Sequence, residues 1–230
     1  MKTVLDIETT AYGLECLSES QQEYILRSAE QEQDPSLREE KREEAIRYLS
    51  LYPFTAKVIA IGMLNAETEN SYILFESAVP KEWENKEKKI KYRGMPENEM
   101  LEHFWSLAKK FDTVITFNGR NFDIPFLMLR SAVNRIKPTI NFTGNRYDTS
   151  RHIDLLEQLT FYGQIKKFNL DFYCRSFGIE SPKRKGVTGM EIKELYSAGR
   201  IEDIAIYCAG DIRATFQLYK IWRDYLNFHS

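Results

Sequence analysis

Two apolar, β-rich runs separated by a short polar connection of four residues constrain this chain more than anything else in it: KVIAIGMLN (57–65), AETE, then NSYILFE (70–76). So short a polar connection is expected for an antiparallel hairpin, which commits the fold to a sheet. The opening MKTVLDIETT supplies a third strand, and DTVITFNG (112–119), ending in Asn-Gly, a fourth. Between them, MPENEMLEHFWSLAKKF carries Leu101, Phe104, Trp105 and Ala108 at helical spacing. Phe122 to Val133 reads as a second apolar helix, with Pro125 tolerable in its first turn. RHIDLLEQL (151–159) reads as a strand that continues helically, and NLDFYCRSFGI, MEIKELYSAG and RIEDIAIYCAGDIRATFQLYKIW read as helices. Residues 80–96, with Pro80, KEKKIKYRG and Pro96, read as an irregular basic connection. The expected class is α/β, a mixed sheet flanked by helices. With no internal repeat and no low-complexity linker, residues 1–230 are read as one domain.

Residues 12–50 read as a charged helical insertion after the first strand, with helical patterning in SESQQEYILRSAEQ and PSLREEKREEAIRYL. The REEKREE run suits a solvated helix face; a lid or partner surface is the other reading. Thirty-two basic and 34 acidic residues give a formal charge of −2, so any nucleic-acid binding must rely on a local patch. Cys16, Cys174 and Cys208 fit neither a disulfide framework nor a CxxC zinc site, and a cytoplasmic setting is expected. No apolar stretch approaches membrane-spanning length, and Asp6 and Glu8 interrupt any signal-peptide core. His103, His152 and His229 offer neither zinc spacing nor a Ser/His/Asp arrangement.

Carboxylates remain. Alternation along a strand puts Val4, Asp6 and Glu8 on one face and Leu5 and Ile7 on the other. Two acids on one face are either a surface emergence or part of a site. Asp123, in TFNGRNFDIPFLML, sits at a strand-to-helix passage, where an acid also suits the helix macrodipole. On the last helix, Ile201, Ile204, Ala205, Cys208, Ile212, Phe216 and Tyr219 form a core-facing stripe. Tyr207 and Asp211, at i,i+4, share one flank of it, as a site pair or as an amphipathic border.

Taken in order, DIE, N-x-x-x-F-D and Y-x-x-x-D resemble the DEDD superfamily of 3′–5′ exonucleases on the ribonuclease H-like fold. The likeness is to its tyrosine-containing branch, since the histidine of the other branch would stand at Ile206, and closest to stand-alone relatives of the proofreading domain of family-B DNA polymerases. It covers residues 1–10 and about 57–219, with 12–50 outside it. The resemblance implies two divalent cations, Mg²⁺ or Mn²⁺, about 3.5–4 Å apart. It gives Asp6 as bridging both, Glu8 and Asp211 as completing the site that holds the nucleophilic water, Asp123 as supporting the second ion, and Tyr207 as orienting the water.

It further implies a single-stranded substrate with a free 3′ end, DNA favoured, and nucleoside 5′-monophosphate as product. RNA processing, or a silent nucleic-acid-binding domain of the same fold, are the alternatives. Asn118 and Phe122 resemble substrate-facing positions, with core packing the other reading for Phe122, and Thr9 lies near the 3′ nucleotide. Asp154 in HIDLL resembles a recurrent acid of the family but also suits a helix start. Strand contacts are expected from SPKRKGVTG (181–189), chiefly Lys183, Arg184 and Lys185, and from QIKKFNL (164–170) and KKIKYR (88–93). With the sequence ending at residue 230, soon after Asp211, no polymerase is expected.

Overall fold

The computed structural model describes residues 1–181 and 189–228. Seven strands form one mixed sheet: β1 (Lys2–Ala11), β2 (Ala56–Asn65), β3 (Ser71–Glu76), β4 (Lys81–Asn85), β5 (Ile90–Met95), β6 (Thr113–Thr116) and β7 (His152–Asp154). Their order across the sheet is β4-β5-β3-β2-β1-β6-β7. β1, β2 and β3 form an antiparallel meander, whereas β6 runs parallel to β1 and β7 parallel to β6.

Alternation along β1 decides what lies above and below the sheet. Val4 joins one core layer with Ile59, Leu64 and Phe75, roofed by Cys208, Ile212 and Phe216 of α8 (Ile201–Tyr225). Leu5 and Ile7 point the other way, into a layer with Leu101, Phe104 and Trp105 of α3 (Glu97–Ala108) and Phe126 and Leu127 of α4 (Asp123–Val133). The apolar stripe read along the last helix is the face that α8 buries. Gly62 of β2 permits its close approach: a Cβ there would lie 2.8 Å from Cys208 Sγ and 2.9 Å from Ile212.

Between β1 and β2 stand α1 (Glu19–Glu30) and α2 (Pro35–Tyr48). No residue of α2 is buried, as a solvated charge run requires. The segment is fastened to β1 where the Thr9 hydroxyl donates to the Ser50 carbonyl at 2.7 Å.

The reading of residues 80–96 as irregular is overturned: β4 and β5 are a hairpin, and β5 pairs parallel with β3. Ile90 and Tyr92 turn inward while Lys91 and Arg93 face solvent, so a two-residue period was present under the charge. Trp83 stacks on its cross-strand partner Tyr92 with centroids 4.6 Å apart, and Lys89 takes the turn at φ 51°. Charged residues on β4 suit a sheet edge. Among the described residues, no helix is long and apolar enough to cross a membrane.

Candidate active site

The parallel register sets the position of the site. Val4 lies beside Ile115 and Thr116 beside Asp154, so the chain leaving β6 and β7 arrives level with the second half of β1, at Asp6 and Glu8. In a sheet of this kind the carboxyl ends of parallel strands are where ligands gather.

Asp6 and Glu8 face α8, and Asp6 is the cross-strand partner of Gly62, a residue against which α8 packs closely. That helix brings Tyr207 and Asp211, joined by a side-chain hydrogen bond, over the strand. Asp123, the first residue of α4, is buried, and its Oδ1 accepts the backbone N–H of Ile7 at 2.9 Å. The four acids act on one another electrically. Burial first, and then Asp123, Asp211 and Glu8, hold Asp6 well above the ordinary carboxylate range. Glu8 is raised by burial and by Asp211 and Asp123. Asp123 is pushed up to about 7 by burial, against the opposing pull of its backbone hydrogen bonds. Tyr207 is raised further from its ordinary value by burial, Asp211 and Glu8, so its phenol keeps its proton and acts as a donor.

Cys208 was legible only as core. Its Sγ lies 4.0 Å from Asp6 Oδ2 and 3.9 Å from the Asp6 carbonyl oxygen, and one donor atom each from Asp6, Glu8 and Cys208 falls within 4.8 Å of the others. Burial and the surrounding acids raise the thiol well above its usual range, leaving it protonated. The carboxylates are the ligands this place offers. Among the described residues, no Lys or Arg forms an ion pair with Asp6, Glu8 or Asp123, and the leading charges on Asp6 and Glu8 are those of other acids. Hard oxygen donors held together against their own repulsion fit divalent cations of the Mg²⁺ and Mn²⁺ kind.

The loop carrying the second motif is clamped from beneath. Asp154 accepts the backbone N–H groups of Asn118 and Arg120, each at 2.9 Å, and that of Leu156 at 3.0 Å, capping α5 (Leu155–Leu159). The helix-start role considered for Asp154 is therefore present, together with a positioning role no local pattern announced. Asn118 holds a left-handed φ of 66°, and its side chain accepts Asn121 Nδ2 at 3.1 Å. Gly119 has no room for a side chain, since a Cβ would lie 2.5 Å from Thr116.

Phe122 is half-buried, packed on the α3–α4 layer with its ring 5.5 Å from Phe126. Thr9 is half-buried and holds Ser50. Lys183, Arg184 and Lys185 lie outside the described residues. A cleft of about 970 Å³ between α7 (Gly189–Ser197) and α8, lined by Leu195, Arg200, Ile206, Gly210 and Arg213, opens on Tyr207.

A family described as "Predicted 3′-5′ exonuclease related to the exonuclease domain of PolB" matches residues 51–223, a span that holds Asn118, Asp123, Tyr207 and Asp211 but begins after Asp6 and Glu8. A DNA polymerase of Pyrococcus glycovorans is 28% identical over 139 residues, 53% of this chain and 18% of that protein. A DNA polymerase of Thermococcus gorgonarius is 30% identical over 141 residues, 54% of this chain and 18% of that protein. The chain thus spans under a fifth of the length of these relatives. Among solved structures, the family B DNA polymerase of Pyrobaculum calidifontis superposes with a TM-score of 0.61 at 16% identity, covering 96% of this chain and 24% of that one. The fold is the ribonuclease H-like one.

Proposed function

The chain belongs to the family of predicted 3′–5′ exonucleases related to the exonuclease domain of PolB, and from that membership we propose a metal-dependent exonuclease that removes nucleotides one at a time from the 3′ end of single-stranded nucleic acid. One observation carries this reading. Four acids and a tyrosine from three distant segments act on one another in a single half-buried patch, where divalent cations would relieve the carboxylates' repulsion. DNA is favoured over RNA because the relatives are DNA polymerases.

In this reading Asp6, Glu8, Asp123 and Asp211 would hold a pair of Mg²⁺ or Mn²⁺ ions. When bound, the pair supplies the positive charge that an anionic phosphodiester needs at its attacking and leaving oxygens. The protein's own groups do the rest. Tyr207 keeps its proton and donates it to Asp211 in a hydrogen bond, which fixes the phenol so that its oxygen can accept from the attacking water and orient it. Asp123, anchored on Ile7, keeps α4 in register with β1. Asn118, set by Asp154, would meet the sugar or backbone of the terminal nucleotide, and the outer edge of Phe122 its base. Because the Thr9 hydroxyl already donates to Ser50, any contact from that position would come through its backbone or through the hydroxyl oxygen as an acceptor. Lys183, Arg184 and Lys185 would meet phosphates farther along. Water's oxygen bonds to phosphorus, the P–O3′ bond breaks, and the new 3′-hydroxyl takes a proton, releasing a nucleoside 5′-monophosphate.

The test uses matched DNA and RNA strands labelled at either end, with Mn²⁺ present. Label at the 3′ end should leave immediately as mononucleotide, while 5′ label should shorten stepwise, faster on DNA. Binding without release would leave a silent nucleic-acid-binding domain, and faster loss from RNA would reassign the substrate.

A further inference from the structure

Outside the acid cluster, the described surface carries a second feature suited to a nucleic-acid strand, on the loop before α6 (Leu170–Ser176) and the first turn of that helix. Phe168 and Phe172 lie ring on ring, centroids 4.1 Å apart and planes 9° apart, with Phe172 48% exposed. Lys166 Nζ stands 5.3 Å over the Phe168 ring, and Lys167 beside it is exposed. Among the described residues neither lysine is engaged in an ion pair, while Asp171, the nearby acid, is paired with Arg175 at 3.0 Å. The stack is held in place: Asn169 Oδ1 caps α6 by accepting the Phe172 N–H at 2.9 Å. A single exposed aromatic needs no explanation. Two stacked aromatics beside unpaired lysines, fixed by a cap, match what a sequence-tolerant single-strand site is built from.

The patch is also continuous with the site. Phe168 meets Tyr173 edge to face at 6.1 Å, and Tyr173 meets Phe117 at 5.8 Å. Phe117 directly precedes Asn118, so a series of rings runs from the clamped loop to the exposed stack. Asp211 is near enough to contribute to raising Cys174 of α6, which puts that helix beside the acid cluster.

Resting on the exonuclease reading, we infer that the Phe168–Phe172 stack with Lys166 and Lys167 is the track for the single strand upstream of its 3′ end. A base there extends the two-ring stack, and the lysines meet phosphates. The surface selects single strands over duplexes, because only unpaired bases offer a free face, and it reads no sequence.

The experiment compares the intact protein with Phe172→Ala and with Lys166→Glu/Lys167→Glu, none of which touches the acid cluster. Anisotropy of a labelled 12-nucleotide DNA strand, with Ca²⁺ in place of Mg²⁺, measures binding; mononucleotide release from a dinucleotide with Mg²⁺ measures the site alone. The wild type should bind the 12-mer more tightly than the dinucleotide, each variant should weaken 12-mer binding about tenfold, and dinucleotide turnover should stay within about twofold. The proposal is overturned if the variants bind the 12-mer as the wild type does, if dinucleotide turnover falls as far as binding, or if wild-type binding does not tighten with length. Failure of the exonuclease reading looks different. The wild type would then release no mononucleotide from any substrate, while length-dependent binding, lost in the variants, would still support the track.

Discussion

The carboxylate of Asp123 accepts the backbone N–H of Ile7 at 2.9 Å, so the acid of the second motif is fastened to the strand that bears the acids of the first. Substitutions at this position separate charge from anchoring. Asp123→Asn keeps an acceptor for Ile7 and removes a charge from a repelling cluster, so the metal-free protein should be at least as stable as the wild type. Asp123→Ala strands a buried N–H and should cost about 1–3 kcal/mol. Urea unfolding in EDTA distinguishes them; equal destabilisation by both would contradict the anchoring role.

The raised acids give the metal-free protein a signed pH dependence. A carboxyl whose folded value lies above its unfolded one stabilises below the unfolded value, and that contribution is lost as pH rises through the folded value, about 7 for Asp123. In EDTA, Tm should therefore fall between pH 6.5 and 8, and Mg²⁺ or Mn²⁺ should raise it more at pH 8 than at 6.5. A flat profile, or equal metal stabilisation at both pH values, would count against the cluster.

His152 acts in the opposite direction. Burial and the neighbouring Arg120 hold it down to about 3, with its ring between the Thr116 hydroxyl and the Phe142 carbonyl. Below about 6.5 the unfolded chain takes up a proton that the folded one refuses, so stability drops by at most about 1.4 kcal/mol per pH unit from this group until about pH 3. Replacing His152 with Asn should flatten the acid limb of the profile measured by denaturant unfolding; an unchanged slope would show that other groups set it.

Gly62 controls how close α8 comes to Asp6. A methyl group placed 2.8 Å from Cys208 Sγ must displace the helix, so Gly62→Ala should destabilise by about 1–3 kcal/mol and reduce turnover by moving Tyr207 and Asp211 off β1. Adding Cys208→Ala should restore part of both. Turnover untouched by Gly62→Ala would mean that the spacing between β1 and α8 is not what sets the site.

Tyr207→Phe removes the donor and keeps the packing. Turnover should fall about a hundredfold with stability nearly unchanged, and the wild-type pH–rate profile should show no phenol ionisation below pH 10. A rate that climbs with pH through about 9 and loses that climb in the Phe variant would instead make the tyrosine a base.

What was legible in the sequence follows from which interactions are local. The opening strand and the last helix announced their faces because alternation and the 3.6-residue period survive intact in VLDIE and in Ile204–Phe216, and both placed their acids correctly relative to the core. The β4–β5 hairpin was hidden because its outward positions carry Lys, Arg and Glu, which drown the inward Ile90 and Tyr92. The clamp of Asp154 on Asn118 and Arg120 spans more than thirty residues and uses backbone donors, which leave no side-chain pattern to read. Gly62 inside KVIAIGMLN was the available sign of a close approach. Cys208 was placed correctly in the stripe, yet its nearness to Asp6 depends on how deeply α8 settles on the sheet.

The central claim is that these acids work together on a 3′ end with the help of divalent cations. Its most direct measurement is mononucleotide release from a 3′-labelled single strand by the wild type and by Asp6→Asn, each with Mg²⁺ and with EDTA, alongside circular dichroism of both proteins. The account predicts 5′-monophosphate release only from the wild type with Mg²⁺, with the two spectra superimposable. Release by Asp6→Asn at the wild-type rate, or release undiminished by EDTA, would contradict it.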